Sequence, residues 1–136
     1  MHVLLVEDDE DSRDTIEYLL RRGGHVVRCA ATGIEALGSI RHEAPDVVLL
    51  DVVLPALNGY EVCRLVKEDA RNQRPPRRLP VVLVTARKVK DRRREAFIRD
   101  WTGADAVIYK PFDRQTLLSV ITELHEPAQV QSGTAS

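Results

Sequence analysis

Aromatic side chains are scarce in this chain of 136 residues, at 4%, with a single Trp and two Phe. No apolar run approaches the roughly 18 residues that a bilayer-spanning helix needs, so no membrane role is expected. The opening MHVLLVEDDE has no basic n-region and runs straight into acids, unlike a secretory leader, so a cytoplasmic location is expected. Cys29 and Cys63 lie far apart without CxxC spacing and read as buried small hydrophobes rather than a disulfide or metal pair. His2, His25, His42 and His125 are scattered, which leaves a histidine-based metal site without support. There is no internal repeat.

What is present suits one domain with one real core, built from 43% hydrophobic residues. The net charge of −1 hides a strong polarity. Residues 1–17 hold Glu7, Asp8, Asp9, Glu10, Asp11, Asp14 and Glu17, whereas residues 71–99 hold eleven of the 20 Lys and Arg against only Asp91 and Glu95. A specialised basic face follows if this is more than a solvated surface.

Five apolar runs punctuate the chain: VLLV (3–6), VVRCA (26–30), VVLL (47–50), VVLV (81–84) and AVIY (106–109). Three are nearly continuous Val and Leu without alternation, the pattern of strands buried on both faces of a parallel sheet. Helix-period segments separate them. Asp11 to Arg22 aligns Ile16, Leu19 and Leu20; Thr32 to Arg41 opens with a capping-box spacing to Glu35; Asn58 to Ala70 aligns Val62, Leu65 and Val66. Lys90 to Trp101 aligns Phe97, Ile98 and Trp101, and Asp113 to Leu124 aligns Leu117, Leu118, Ile121 and Leu124. Five alternations of strand and helix predict a wound α/β domain with helices on both faces. RNQRPPRRLP (71–80) carries three prolines and cannot be one helix, and the small polar tail 126–136 reads as a frayed end or the start of a linker.

Ligands of an open parallel sheet bind beyond the carboxyl ends of its strands. The residues just past the runs are Glu7 and Asp8, then Asp51, Thr85 and Lys110. If the first and third strands are neighbours, three carboxylates meet a hydroxyl and an ammonium in one cleft. Two unit charges ~5 Å apart at an effective dielectric of ~20 repel by roughly 3 kcal/mol, so a cation must offset them. An all-oxygen cluster suits Mg²⁺, which takes one or two carboxylates and keeps several waters. Asp51 is the best candidate for a carboxylate nucleophile that forms an aspartyl phosphate. It follows an apolar strand and precedes a turn set by Pro55 and Gly59. Asp9, Glu10 and Asp11 are explained by the positive end of the helix that follows them.

VEDDEDSR, LLDVVLPALNGYEVC, VLVTA and YKPF, in this order, resemble the receiver domain of two-component response regulators, across residues 2 to about 125. The resemblance implies a flavodoxin-like, doubly wound five-stranded parallel sheet of order 2-1-3-4-5 over residues 1–125, with 126–136 as tail. It implies Asp51 as phosphoacceptor, Thr85 and Lys110 as its phosphoryl contacts, and Mg²⁺ held by Asp8, Glu7 through water, Asp51 and the Val53 carbonyl. The bond before Pro111 is similar to one that is cis in the family, although X–Pro bonds default to trans. The implied role is regulatory: the protein catalyses only its own phosphorylation and dephosphorylation. The phosphoryl comes from a histidine kinase or histidine phosphotransfer protein, and output is through a downstream protein target, as a monomer or weak dimer.

Two features depart from the family. Its receivers carry an aromatic residue three positions before the lysine, and Val107 stands there; Tyr109 shares that strand face by period-two alternation. The stretch from Thr85 to Lys110 is also slightly long, and it offers Arg87, Lys88, Lys90, Arg92, Arg93 and Arg94 as a partner face. Val107 is the strongest argument for the alternative function, a receiver-like adaptor that works without phosphorylation. An aspartyl phosphohydrolase needs a carboxylate where Val53 stands, and EDDED would repel a nucleotide phosphate. Nucleic acid is not an expected partner, because the basic stretch offers few aromatics beyond Phe97 and Trp101 and no reading helix follows it.

Overall fold

The structure, a computed structural model, describes residues 1–86 and 92–125, without the side chains of Arg92, Arg94 and His125. Arg87, Lys88, Lys90 and the tail 126–136 therefore lie outside the described residues, as do the side chains of Arg92 and Arg94; Arg93 is exposed.

The apolar runs become the strands β1 (His2–Val6), β2 (Val26–Ala30), β3 (Val47–Asp51), β4 (Val81–Thr85) and β5 (Ala106–Tyr109). They pair in parallel in the order β2-β1-β3-β4-β5, as expected for a flavodoxin-like sheet. β3 and β4 are buried at every residue, which accounts for their unalternating Val and Leu. Helices α1 (Glu10–Arg22), α2 (Gly33–His42), α3 (Gly59–Arg71), α4 (Arg92–Thr102) and α5 (Arg114–His125) connect and follow the strands.

Successive strand residues feed opposite layers. Leu4, Val6, Val48, Leu50 and Leu83 pack with Val62 and Val66 of α3 and with Ala36 and Ile40 of α2. Val3, Leu5, Val47, Leu49, Val82 and Val84 pack with Ile16 and Leu20 of α1 and with Leu117 and Ile121 of α5. Each such buried Val or Leu contributes about 1.5–3 kcal/mol of transfer free energy, an upper bound because the unfolded chain is itself partly collapsed.

Helix starts are set locally. The Asp9, Thr32 and Asn58 side chains each accept from a backbone N–H three residues on, and Glu35 accepts from the Ala31 N–H, one residue before the Thr32 cap rather than from the cap itself. At the amino-terminal edge of the sheet, Asp105 Oδ2 accepts from both Lys67 Nζ and the Val81 N–H at 2.8 Å. This carboxylate ties α3, the start of β4 and the approach to β5 together.

Two expectations need correction. Phe97 and Trp101 are not core residues: they are 67% and 49% exposed, and of the α4 trio only Ile98 packs on the core. The Arg64 guanidinium lies 5.7 Å from the Trp101 ring centroid, so a cation covers a face that the helical period assigns to the interior. Cys29 is exposed because β2 is an edge strand, and its Sγ lies 3.5 Å from Glu17 Oε1; only Cys63 is a buried small hydrophobe. Burial pushes the Cys63 thiol up to about 12, which leaves it unreactive.

Candidate functional site

Because β1 and β3 are neighbours, Glu7 immediately after β1 and Asp51 at the end of β3 meet at the carboxyl edge of the sheet. Both are buried, at 2% and 7% exposure. Lys110 arrives from the end of β5 and places Nζ between them, 2.6 Å from Glu7 Oε1 and 2.9 Å from Asp51 Oδ2. The second Asp51 oxygen, Oδ1, accepts from the Val53 N–H at 2.7 Å. Both carboxyl oxygens of Asp51 are therefore engaged by donors, which fixes its orientation.

Burial raises the Glu7 carboxyl above its ordinary value; the Lys110 hydrogen bond opposes this, while Asp51, as hydrogen-bond partner and as like charge, reinforces it. For Lys110, burial pulls downward, but the hydrogen bonds to Glu7 and Asp51 and their charges win, so the ammonium is held above the ordinary lysine value. One cation thus serves two pressed carboxyls.

Thr85, at the end of β4, is 6% exposed and pairs with Tyr109 in the sheet. Its carbonyl accepts from the Lys110 N–H at 2.8 Å, so the two residues are strapped together through the backbone. Asp8, by contrast, is exposed at the rim. Val53 is also exposed, at 71%, beside Asp51. The peptide bond before Pro111 is cis. Val107 pairs with Leu83 and packs, half-buried, against the α2–α3 side of the core.

Two residues were not singled out for the contacts they make here. Arg13 sends a guanidinium N–H to the Glu7 carbonyl at 3.3 Å; its signal was a lone cation among seven acids. Gly59 was read as a turn residue, but it also has to be small. A Cβ there would collide with the Asp51 carbonyl oxygen and lie 2.5 Å from Val52 Cα, because α3 begins directly against the end of β3. The Gly59 N–H donates to the Val52 carbonyl at 2.8 Å, which fixes that approach.

Among the described residues no three His, Cys, Asp or Glu side chains are grouped as they stand to hold a metal, since Lys110 sits between two of the carboxyls. The donor set is nevertheless all oxygen, and one or two carboxylates with water suffice for Mg²⁺. A cavity of about 580 Å³ adjoins Lys110, walled by Ser12, Ile16 and Leu19 of α1 and by Pro111 and Phe112.

A parallel 2-1-3-4-5 sheet with paired acids, a threonine and a lysine at its carboxyl edge defines the class of receiver domains of the flavodoxin-like fold. The chain belongs to the response regulator receiver domain family, which it matches over residues 3–122. The general function of that family is a phosphorylation switch in two-component systems. The chain is similar to two transcriptional regulatory proteins of Streptomyces coelicolor. It is 36% identical to AfsQ1 over 115 residues, 85% of this chain and 47% of that protein. It is 34% identical to CseB over 120 residues, 88% of this chain and 47% of that protein. The chain therefore spans about half the length of the curated relatives it matches. Among solved structures, the Vibrio cholerae chemotaxis protein CheY4 superposes with a TM-score of 0.77 at 26% identity, covering 90% of this chain and 97% of that one. No described helix is long and apolar enough to cross a membrane.

Proposed function

We propose that Asp51 accepts a phosphoryl group from the phosphohistidine of a kinase or phosphotransfer protein in the cytosol, and that the phosphorylated chain changes its affinity for a downstream protein. The observation that carries this reading is the Lys110 ammonium held within hydrogen-bond distance of both Glu7 and Asp51. A carboxylate fixed by the Val53 N–H and a lysine would be an oriented nucleophile, and the same ammonium would pair with an incoming phosphoryl oxygen. Asp8, Glu7, Asp51 and the Val53 carbonyl are the groups that would hold Mg²⁺. When bound, the ion would neutralise the charge shared between carboxylate and phosphoryl. The adjoining cavity between α1 and Phe112 gives a donor a surface beside Lys110.

Thr85 would contact the phosphoryl and, through its backbone bond to Lys110, couple the pocket to β5. With Val107 packed on the core and no ring at that position, the response would run through the β4–β5 backbone and Tyr109, the sheet partner of Thr85. The added charge paired with Lys110 and Thr85 is the differential interaction that a two-state shift requires.

The test is intact-mass analysis after incubation with Mg²⁺ and acetyl phosphate. One added phosphoryl on the wild type and none on Asp51→Asn is the expected result. No adduct on either protein would transfer the reading to an adaptor that works without phosphorylation, which the ring-less position Val107 favours.

A further inference from the structure

The acidic end of the sheet has a basic counterpart at the opposite end, which the phosphoryl chemistry leaves unused. α3 ends at Arg71, and residues 72–80 lead back to the start of β4. The Arg77 N–H donates to the Ala70 carbonyl at 2.9 Å, and Leu79 and Pro80 are buried, so this connection is folded against the end of α3. Between them lies a cavity of about 470 Å³ lined by Lys67, Arg71, Arg77, Arg78, Leu79 and Gly103, among others.

Lys67 is paired with Asp105, but the arginines of the cavity have no ion pair among the described residues. The neighbouring acids are engaged elsewhere: Glu68 with Arg64 at 3.7 Å, Asp69 with Arg41 at 3.3 Å, and Asp105 with Lys67 at 2.8 Å. Asp46 lines an adjoining hollow of about 190 Å³ together with Arg77 and Arg78, accepts from the His2 N–H at 2.7 Å, and forms no ion pair with either arginine. Among the described residues no carboxylate lies within ion-pairing distance of Arg71, Arg74, Arg77 or Arg78. The negative end of α3 accounts for Arg71 in its last turn, but that effect fades beyond the turn and does not reach Arg77 and Arg78. Arg77 does contact the Pro45 carbonyl at 3.4 Å, a neutral acceptor that leaves its charge unmatched.

Guanidinium groups bind phosphate oxygens through paired, charge-assisted hydrogen bonds, and the cavity volume lies in the small-ligand range. Among the described residues no aromatic side chain lines it, so they offer no platform on which a base would stack. Lys67, Arg71, Arg77 and Arg78 gather on this hollow, with Arg77 and Arg78 shared by the adjoining one, a compact cluster rather than the extended track that a nucleic-acid backbone follows. We propose that the cavity between the end of α3 and residues 76–79 is a second site that binds a small ligand through a di- or triphosphate group, independently of Asp51.

The test is calorimetric titration of the full chain with inorganic tripolyphosphate, at low ionic strength and without divalent cations. One-to-one binding is expected, equal in the wild type and Asp51→Asn. The double variant Arg71→Gln, Arg78→Gln should lose about a hundredfold or more, at about tenfold or more for each charge-assisted hydrogen bond removed. Both side chains are exposed, so the variant keeps the fold, which circular dichroism checks. No binding by the wild type, or undiminished binding by the double variant, overturns the site. Duplex DNA that displaces tripolyphosphate and binds more tightly as it lengthens would overturn the small-ligand assignment in favour of a nucleic-acid surface.

Discussion

Replacing Lys110 by Met keeps the length of the side chain and removes the cation between two buried carboxyls. At the 2.6 and 2.9 Å contacts, Coulomb attraction is about 6 kcal/mol each at an effective dielectric of ~20. Most of that gross attraction offsets the desolvation of the three groups. What is lost on truncation is the compensation of charge that stays buried, about 3 kcal/mol, or a fall in Tm of roughly 10 °C. The loss should depend on pH in a definite direction. Burial and Asp51 already raise the Glu7 carboxyl, and Lys110 opposes them. Without the lysine, the Glu7 value in the folded state rises further above its unfolded value. A carboxyl raised in the fold binds its proton more tightly there, so its stabilisation is present below the ordinary value of 4.5 and is lost as pH climbs through the raised one. The deficit of Lys110→Met should therefore be small in acid and reach its full size above the raised Glu7 value. Urea unfolding of both proteins across that range measures it. A second change, Glu7→Gln in the Lys110→Met background, leaves one buried carboxylate and should recover much of the loss at neutral pH. A deficit that does not vary with pH, or no deficit at all, would refute the account of Lys110 as the compensating charge.

Gly59→Ala should destabilise the fold by about 3 kcal/mol in urea unfolding, because the new Cβ meets backbone rather than a movable side chain, and it should also lower the yield of phosphorylated Asp51. Saturating Mg²⁺, at 100 times its dissociation constant, should stabilise the fold by about 2.7 kcal/mol, and an unchanged Tm would count against the proposed metal site. Asp8→Ala should abolish most of that shift and slow phosphorylation together; normal phosphorylation of the variant would remove Asp8 from the mechanism. Asn58→Ala should cost about 1 kcal/mol through the lost bond to the Glu61 N–H, and Asn58→Gly only a few tenths, as thermal melts would show.

The strands were legible because burial on both faces leaves unbroken Val and Leu, as in VVLL and VVLV, and helices between parallel strands follow from connectivity alone. The order 2-1-3-4-5 came from the family resemblance, and the sheet has it. The convergence of Glu7, Asp51, Thr85 and Lys110 was legible because each stands where an apolar run stops, and strand ends gather at one edge. Phe97 and Trp101 were misplaced because helical period alone does not tell a face against the core from one covered by Arg64. Cys29 was misplaced because an apolar run does not reveal which strand forms the edge. The contacts of Asp105 with Lys67 and of Arg13 with Glu7 depend on side-chain reach across the fold, and no local pattern announces them.

The clasp at Asp105 holds the start of β4 from two sides. The Val81 N–H is held by the Asp105 carboxylate, and the Asp105 N–H returns a bond to the Val81 carbonyl at 2.9 Å. The strand is therefore held at its first residue by a side chain as well as by its neighbours in the sheet. Thr85 and the arginine-lined hollow beyond Leu79 thus stand at opposite ends of one strand, with the Asp105 clasp at the hollow's end.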